Sequence, residues 1–199
     1  MDLFDCLAGT ARSLTARLIQ PASAHCDTEE GPAVQDARRA LETGNVNHAL
    51  KWVHADGEDE VRSAFDAALA ASGERTALAE RGFLETLVRV HRAGEGAGFD
   101  GIKPTGTELP PEVVAADAAL EAGTIEPLRG LIPDDRWTEL EKRFDACQGK
   151  KSFDVDDLES ARDYVAAYVH FYKYAEGEDE HHHQGGHAHH LCCHTSLCG

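Results

Sequence analysis

The stretch PAVQDARRALETGNVNHALKWVH, residues 32–54, returns in altered form at residues 111–133 as PEVVAADAALEAGTIEPLRGLIP. With no gap, the same shift sets Ala40-Leu41-Glu42-x-Gly44 on Ala119-Leu120-Glu121-x-Gly123 and Phe65-Asp66-Ala67 on Phe144-Asp145-Ala146. It also pairs Pro32 with Pro111, Thr28-Glu29 with Thr107-Glu108, and Val90-His91 with Val169-His170. Matches held in one register over so long a span predict a tandem duplication, residues 25–99 and 104–175. Each half reads as about four helices. Proline opens the first at an N1 position and Gly44 or Gly123 closes it. Val46–His54 and Ile125–Ile132 predict a short second helix, and Glu58–Ala71 and Asp135–Gln148 a third. The last runs from Thr76 to Arg92 and from Val155 to Ala175, with Ala79, Phe83, Leu87 and Val90 as an apolar stripe in the first copy. Gly94–Pro111, rich in glycine and proline, reads as the linker. The expected fold is all-α, with two helical halves facing each other about a pseudo-twofold axis, because either half alone buries too little surface.

Composition agrees. The chain has 199 residues, is 42% hydrophobic, and carries 36 acidic against 19 basic side chains, a formal charge of −17. Such a polyanion repels nucleic-acid phosphates and anionic lipid surfaces, which excludes those partners. No apolar run approaches the roughly 18–20 residues that cross a bilayer. The six cysteines form no disulfide framework: Cys6, Cys26 and Cys147 are solitary, and Cys192, Cys193 and Cys198 crowd the end beside histidines. That usage predicts a reducing, cytoplasmic setting and thiolate or metal chemistry. Residues 1–24, with helical periodicity, no secretory h-region and a closing Ala-Ser-Ala, read as a non-secretory leader or as an ordinary N-terminal helix.

Three groups of residues carry the chemistry. His25-Cys26-Asp27 follows the leader, and the other half has Pro104-Thr105-Gly106 there, so the duplicated scaffold does not need it. Cleavage after Ala24, which needs a processing protease as partner, gives His25 an α-amine beside its imidazole. Cys26 adds an amide nitrogen and a thiolate, a set that favours nickel or copper. His91 and Glu95, four residues apart, share a helix face and could complete this site, or form a helix-end ion pair. His170, the mirror of His91, raises a facing pair of histidines. The tail 176–199 holds His181, His182, His183, His187, His189, His190 and His194 with Cys192, Cys193 and Cys198. It has little to bury and reads as a disordered, promiscuous metal-binding segment.

Arg17-Leu18-Ile19, Ser23-Ala24-His25-Cys26-Asp27 and Gly31 resemble the leader and metal hook of nickel superoxide dismutases. The resemblance implies a cleaved leader, with His25 supplying amine and axial imidazole and Cys26 amide and thiolate. It implies His25 and Cys26 as catalytic ligands in a ping-pong dismutation of superoxide. The family's second cysteine falls at Glu30 and its tyrosine at Ala33. A carboxylate is a harder donor than a thiolate, which turns the site toward copper held by the His25 amine and ring. HCDTEEGP, ALETGNVNHALKWV and FLETLVRVHRAGEG also resemble an uncharacterised family of small helical prokaryotic proteins, which implies no activity. The expected function is a helical metalloprotein with a dismutase-like hook for nickel or copper. The alternatives are non-catalytic storage or delivery of these metals by the tail, and a partner-binding module. Homo-oligomerisation stays open.

Overall fold

A computed structural model describes residues 25–73 and 75–177. Among the described residues seven α-helices carry the fold: α1 Pro32–Thr43, α2 Asn47–Leu50, α3 Glu58–Ala70, α4 Arg75–Gly94, α5 Pro111–Ala122, α6 Trp137–Lys150 and α7 Leu158–Glu176. Among the described residues no strand occurs; a single parallel bridge joins Thr28 and Lys103. No described helix is long and apolar enough to cross a membrane. The leader 1–24 and tail residues 178–199 lie outside the described residues.

The caps predicted from sequence form. Pro32 and Pro111 stand at the starts of α1 and α5, where their missing N–H costs nothing. Gly44 (φ 69°) and Gly123 (φ 71°) end them in the left-handed conformation that glycine adopts freely. Short 3₁₀ turns at Ala55–Gly57 and Asp134–Arg136 lead into α3 and α6, still in the register read from the sequence.

Two expectations change. The second helix shrinks to Asn47–Leu50 in the first half and to a 3₁₀ turn, Glu126–Leu128, in the second. There Gly130 (φ 82°) turns the chain before Pro133. The ungapped register also fails over the last helix. α4 starts at Arg75 and α7 at Leu158, a wider offset than the one that relates α1 to α5. The loop after α6 is longer, and Asp157 caps α7 by accepting from the Ser160 N–H. In the sequence register, Leu84, Leu87 and His91 of the buried face of α4 would match Asp163, Ala166 and His170, all exposed in α7. The buried face of α7 is instead Ala161, Val165, Tyr168, Phe171, Tyr172 and Ala175.

α3 packs along α4 and α6 along α7, while α1 covers α4 and α5 covers α7. Their apolar faces join in a single core that includes Leu50, Phe83, Leu87, Leu128, Leu140, Phe171 and Tyr172. Polar ties reinforce this union. Arg162 of α7 donates to the Val53 carbonyl (3.0 Å) and to Glu58 (2.6 Å), and Asp156 accepts from Asn45 (2.8 Å) and Asn47 (2.9 Å). The glycine-rich connection is pinned: Lys103 N–H donates to the Asp27 carbonyl (2.7 Å), and Glu29 N–H to that of Lys103 (2.9 Å).

That pinned turn leaves no room at Gly31, where an added Cβ would overlap the His25 carbonyl oxygen. Gly31→Ala is expected to cost about 1–3 kcal/mol. Gly82, exposed inside α4 with open space around it, gives the contrasting case: Gly82→Ala should stabilise by about 0.5–1 kcal/mol. Urea unfolding midpoints of the two variants, shifting in opposite directions, check both.

Candidate functional site

Residues 25–28 form a buried turn, closed by the Thr28 hydroxyl donating to the His25 carbonyl (3.2 Å). From it three consecutive side chains reach three helices. His25 Nε2 lies 2.8 Å from Asp117 Oδ2 of α5 and 2.8 Å from the Tyr168 hydroxyl of α7. The Tyr168 hydroxyl donates to Asp117 Oδ1 (2.8 Å). A carboxylate only accepts, so these partners assign the ring hydrogen to Nε2. Nδ1 is buried and without a hydrogen-bond partner.

Cys26 is 1% exposed, with Sγ 3.6 Å from the Tyr172 hydroxyl. Burial pushes its thiol up to about 12, against the lowering effect of Tyr172 and with the Glu95 and Asp27 carboxylates adding to the rise. Burial thus favours the thiol form of Cys26 in the metal-free fold. Asp27 sits 3.4 Å from Arg92 Nε. Burial raises its carboxyl to about 6, although Arg92 and Lys103 pull the other way.

His91 of α4 donates Nδ1–H to the Trp52 carbonyl (2.8 Å), a backbone oxygen that fixes the tautomer. The Trp52 ring meets it edge-on at 5.5 Å. Burial holds His91 below its ordinary pKa against the pull of Glu95, whose Oε2 lies 3.8 Å from an Nε2 that has no hydrogen-bond partner. Glu95 accepts from Lys173 of α7 (2.8 Å) and Arg92 (3.3 Å). Burial raises its pKa, but His91, Lys173 and Arg92 outweigh that and leave it lowered. The carboxylate is thus hydrogen-bonded by two cations, and the helix-end pair with His91 is its longest contact.

The residues picked from sequence, His25, Cys26, His91 and Glu95, therefore occupy one buried region between α4 and α7. Among the described residues no three His, Cys, Asp or Glu side chains gather as a set able to hold a metal ion. Glu30, at the position of the hook's second thiolate, is exposed and turned to the Gly106 N–H (3.4 Å). Ala33 is sealed in α1. His170 is exposed on α7 and does not face His91. The nickel superoxide dismutase geometry does not fit these residues. His181, His182, His183, His187, His189, His190, Cys192, Cys193, His194 and Cys198 lie outside the described residues.

Sequence reasoning missed Trp52, Arg92, Asp117, Tyr168, Tyr172 and Lys173. Two signals were available. Asp117 is a lone acid inside the apolar run Val113–Leu120, and Tyr164, Tyr168 and Tyr172 recur every four residues.

The model of a protein family described as "Family of unknown function (DUF6448)" matches residues 30–174. No curated protein and no solved structure matches the chain. The matched span contains ALETGNVN and FLETLVRVHRAGEG but starts after His25-Cys26-Asp27 and stops before the tail. The nickel superoxide dismutase resemblance finds no support in these comparisons.

The raised pKa of Asp27 has a defined sign. The folded state binds this proton more tightly than the unfolded chain, whose carboxyl titrates at about 4. Its contribution to stability is therefore full at low pH and is lost as pH rises through about 6. Asp27→Asn should flatten that loss, so its urea midpoint relative to the parent should rise between about pH 4.5 and about pH 7. Parallel pH dependences in the two proteins would contradict it.

Proposed function

We propose that this chain, which belongs to the family of unknown function DUF6448, is a transition-metal-binding protein of the storage or delivery kind. Its ligands are the imidazoles and thiolates of residues 181–198. The single observation that carries the reading is their density: seven histidines and three cysteines within the segment 176–199, beside Glu178-Asp179-Glu180. Imidazole and thiolate suit nickel, copper and zinc, and many overlapping donors in a short segment exchange ions rather than fix one geometry. The charge of −17 raises the local concentration of cations around the protein.

The folded body supports this over dismutation. A dismutase hook needs a thiolate and converging donors. Cys26 is instead buried with its Sγ against the Tyr172 hydroxyl, and Glu30 turns away to the Gly106 N–H. One feature favours a second reading, a metal site in the core: His25 Nδ1 and His91 Nε2 are both buried without hydrogen-bond partners, while their other nitrogens are oriented by a carboxylate and a carbonyl. Histidine ligands are commonly held that way.

Elemental analysis after loading with Ni(II) or Cu(II) and dialysis separates the two. The full chain should hold several equivalents, and a chain ending at the α7 cap, Gly177, should lose most of them. Undiminished binding by the shortened chain would reject the tail reading. One equivalent retained there and lost in His91→Gln would install the core site, and superoxide decay sensitive to Cys26→Ser would make it catalytic. Because imidazole must be neutral to coordinate, loading of the full chain should also fall between about pH 7.5 and about pH 5.5.

A further inference from the structure

All four tyrosines of the chain, Tyr164, Tyr168, Tyr172 and Tyr174, lie on α7. Three of them form a row. Ring centroids are 6.4 Å apart between Tyr164 and Tyr168 and 5.3 Å between Tyr168 and Tyr172. Phe153 extends the row 5.1 Å beyond the half-buried Tyr164, and Trp52 meets Tyr168 edge-on at 6.2 Å. Apolar packing alone would be served by phenylalanine or leucine, whereas a buried phenol needs a partner for its hydroxyl.

The partners differ in what they can do. Tyr172 faces the Cys26 thiol, a weak hydrogen-bonding group. Tyr174 donates to the Arg136 carbonyl at 3.5 Å, and the guanidinium groups of Arg136 and Arg143 lie 4.2 and 4.5 Å from its ring centre. Those cations oppose any loss of an electron from that ring. Tyr168 donates to the Asp117 carboxylate, with His25 on the same oxygen cluster. Asp117 is 41% exposed, so the acceptor of the Tyr168 proton has its own path to water.

A buried phenol that loses an electron and keeps its proton leaves an isolated cation in a medium of low dielectric, which is strongly unfavourable. The Asp117 carboxylate, already accepting the Tyr168 hydroxyl, removes that obstacle. We propose that Tyr168 is a redox-active tyrosine, oxidised by one-electron oxidants of the peroxide-derived radical or high-potential metal-ion class. The oxidant gains one electron from the Tyr168 ring. The O–H bond breaks, its proton passes to Asp117 Oδ1, and a neutral tyrosyl radical remains. Charge balances at the site because the carboxylate is neutralised as the proton arrives, and its exposed side releases that proton to water. The half-buried Tyr164 connects the ring toward the surface. This activity goes beyond metal storage and does not depend on it.

The test is flash-quench oxidation of the full chain with photogenerated tris(bipyridine)ruthenium(III), followed by freeze-quench electron paramagnetic resonance. A tyrosyl signal is expected in the parent and in Tyr174→Phe, and is expected to be lost in Tyr168→Phe. Asp117→Asn should slow its formation by about tenfold or more. If Tyr168→Phe does not fold, 3-fluorotyrosine introduced at position 168 keeps the hydroxyl and gives the same answer: a fluorine hyperfine splitting places the spin there. An unsplit signal, a signal of parental size in folded Tyr168→Phe, or parental kinetics in Asp117→Asn overturns the proposal.

Discussion

The anchoring of residues 25–28 between α4, α5 and α7 is the constraint on which the rest of the structure depends. His25 ties the turn to Asp117 and Tyr168, Cys26 to Tyr172, and Asp27 to Arg92. Three neighbouring residues thus contact both halves, and the backbone between them cannot leave its polar groups bare in the core. The Thr28–Lys103 bridge meets that requirement and in the same step fixes the connection between halves. Gly31 is where the turn has no spare volume, since a Cβ there would overlap the His25 carbonyl oxygen.

Charge in this region is arranged as two acids against two bases. Asp27 and Glu95 face Arg92, and Glu95 also faces Lys173 from the other half. Each charge lost from water costs several kcal/mol before any pairing, so the network adds little stability over a well-packed apolar alternative. Its effect is directional. Lys173 finds a carboxylate only if α7 lies against the end of α4 in this register, and Arg162 reaches Glu58 and the Val53 carbonyl only in the same arrangement. Polar groups of this kind select one packing among the several that the alanine-rich faces of α1 and α5 would tolerate.

The helical class, the caps of α1 and α5, and the offset that relates the elements up to α6 were legible in the residues themselves. The phase of the last helix was not. Val90-His91 and Val169-His170 look equivalent as letters, yet one histidine is buried and the other exposed. The added length between α6 and the Asp157 cap rotates α7, and apolar identity at matching positions cannot reveal a rotation. His25, Cys26 and Asp27 were legible as a group apart from the scaffold, and they do come together with His91 and Glu95. Their chemistry was not legible, because the protonation of Cys26 is set by burial and by carboxylates brought close in the fold. Asp117 stood out as an acid in an apolar run, but its tyrosine partner is far along the chain on α7, and only tertiary structure supplies it.

The two proposed activities fall on different parts of the chain, and the family match divides them. Asp117 and Tyr168 both lie within residues 30–174, the span that the family model describes, as do Trp52 and the other tyrosines. The histidine- and cysteine-rich segment lies beyond it, and His25 and Cys26 before it. A proton-accepting carboxylate set beside a buried phenol needs the packing of α5 on α7, and His25, which precedes the matched span, joins the same pair. Metal capacity needs only donor density and a negative field, neither of which requires a fold. The proposed tyrosine chemistry thus falls within the matched helical body, and the proposed metal binding outside it.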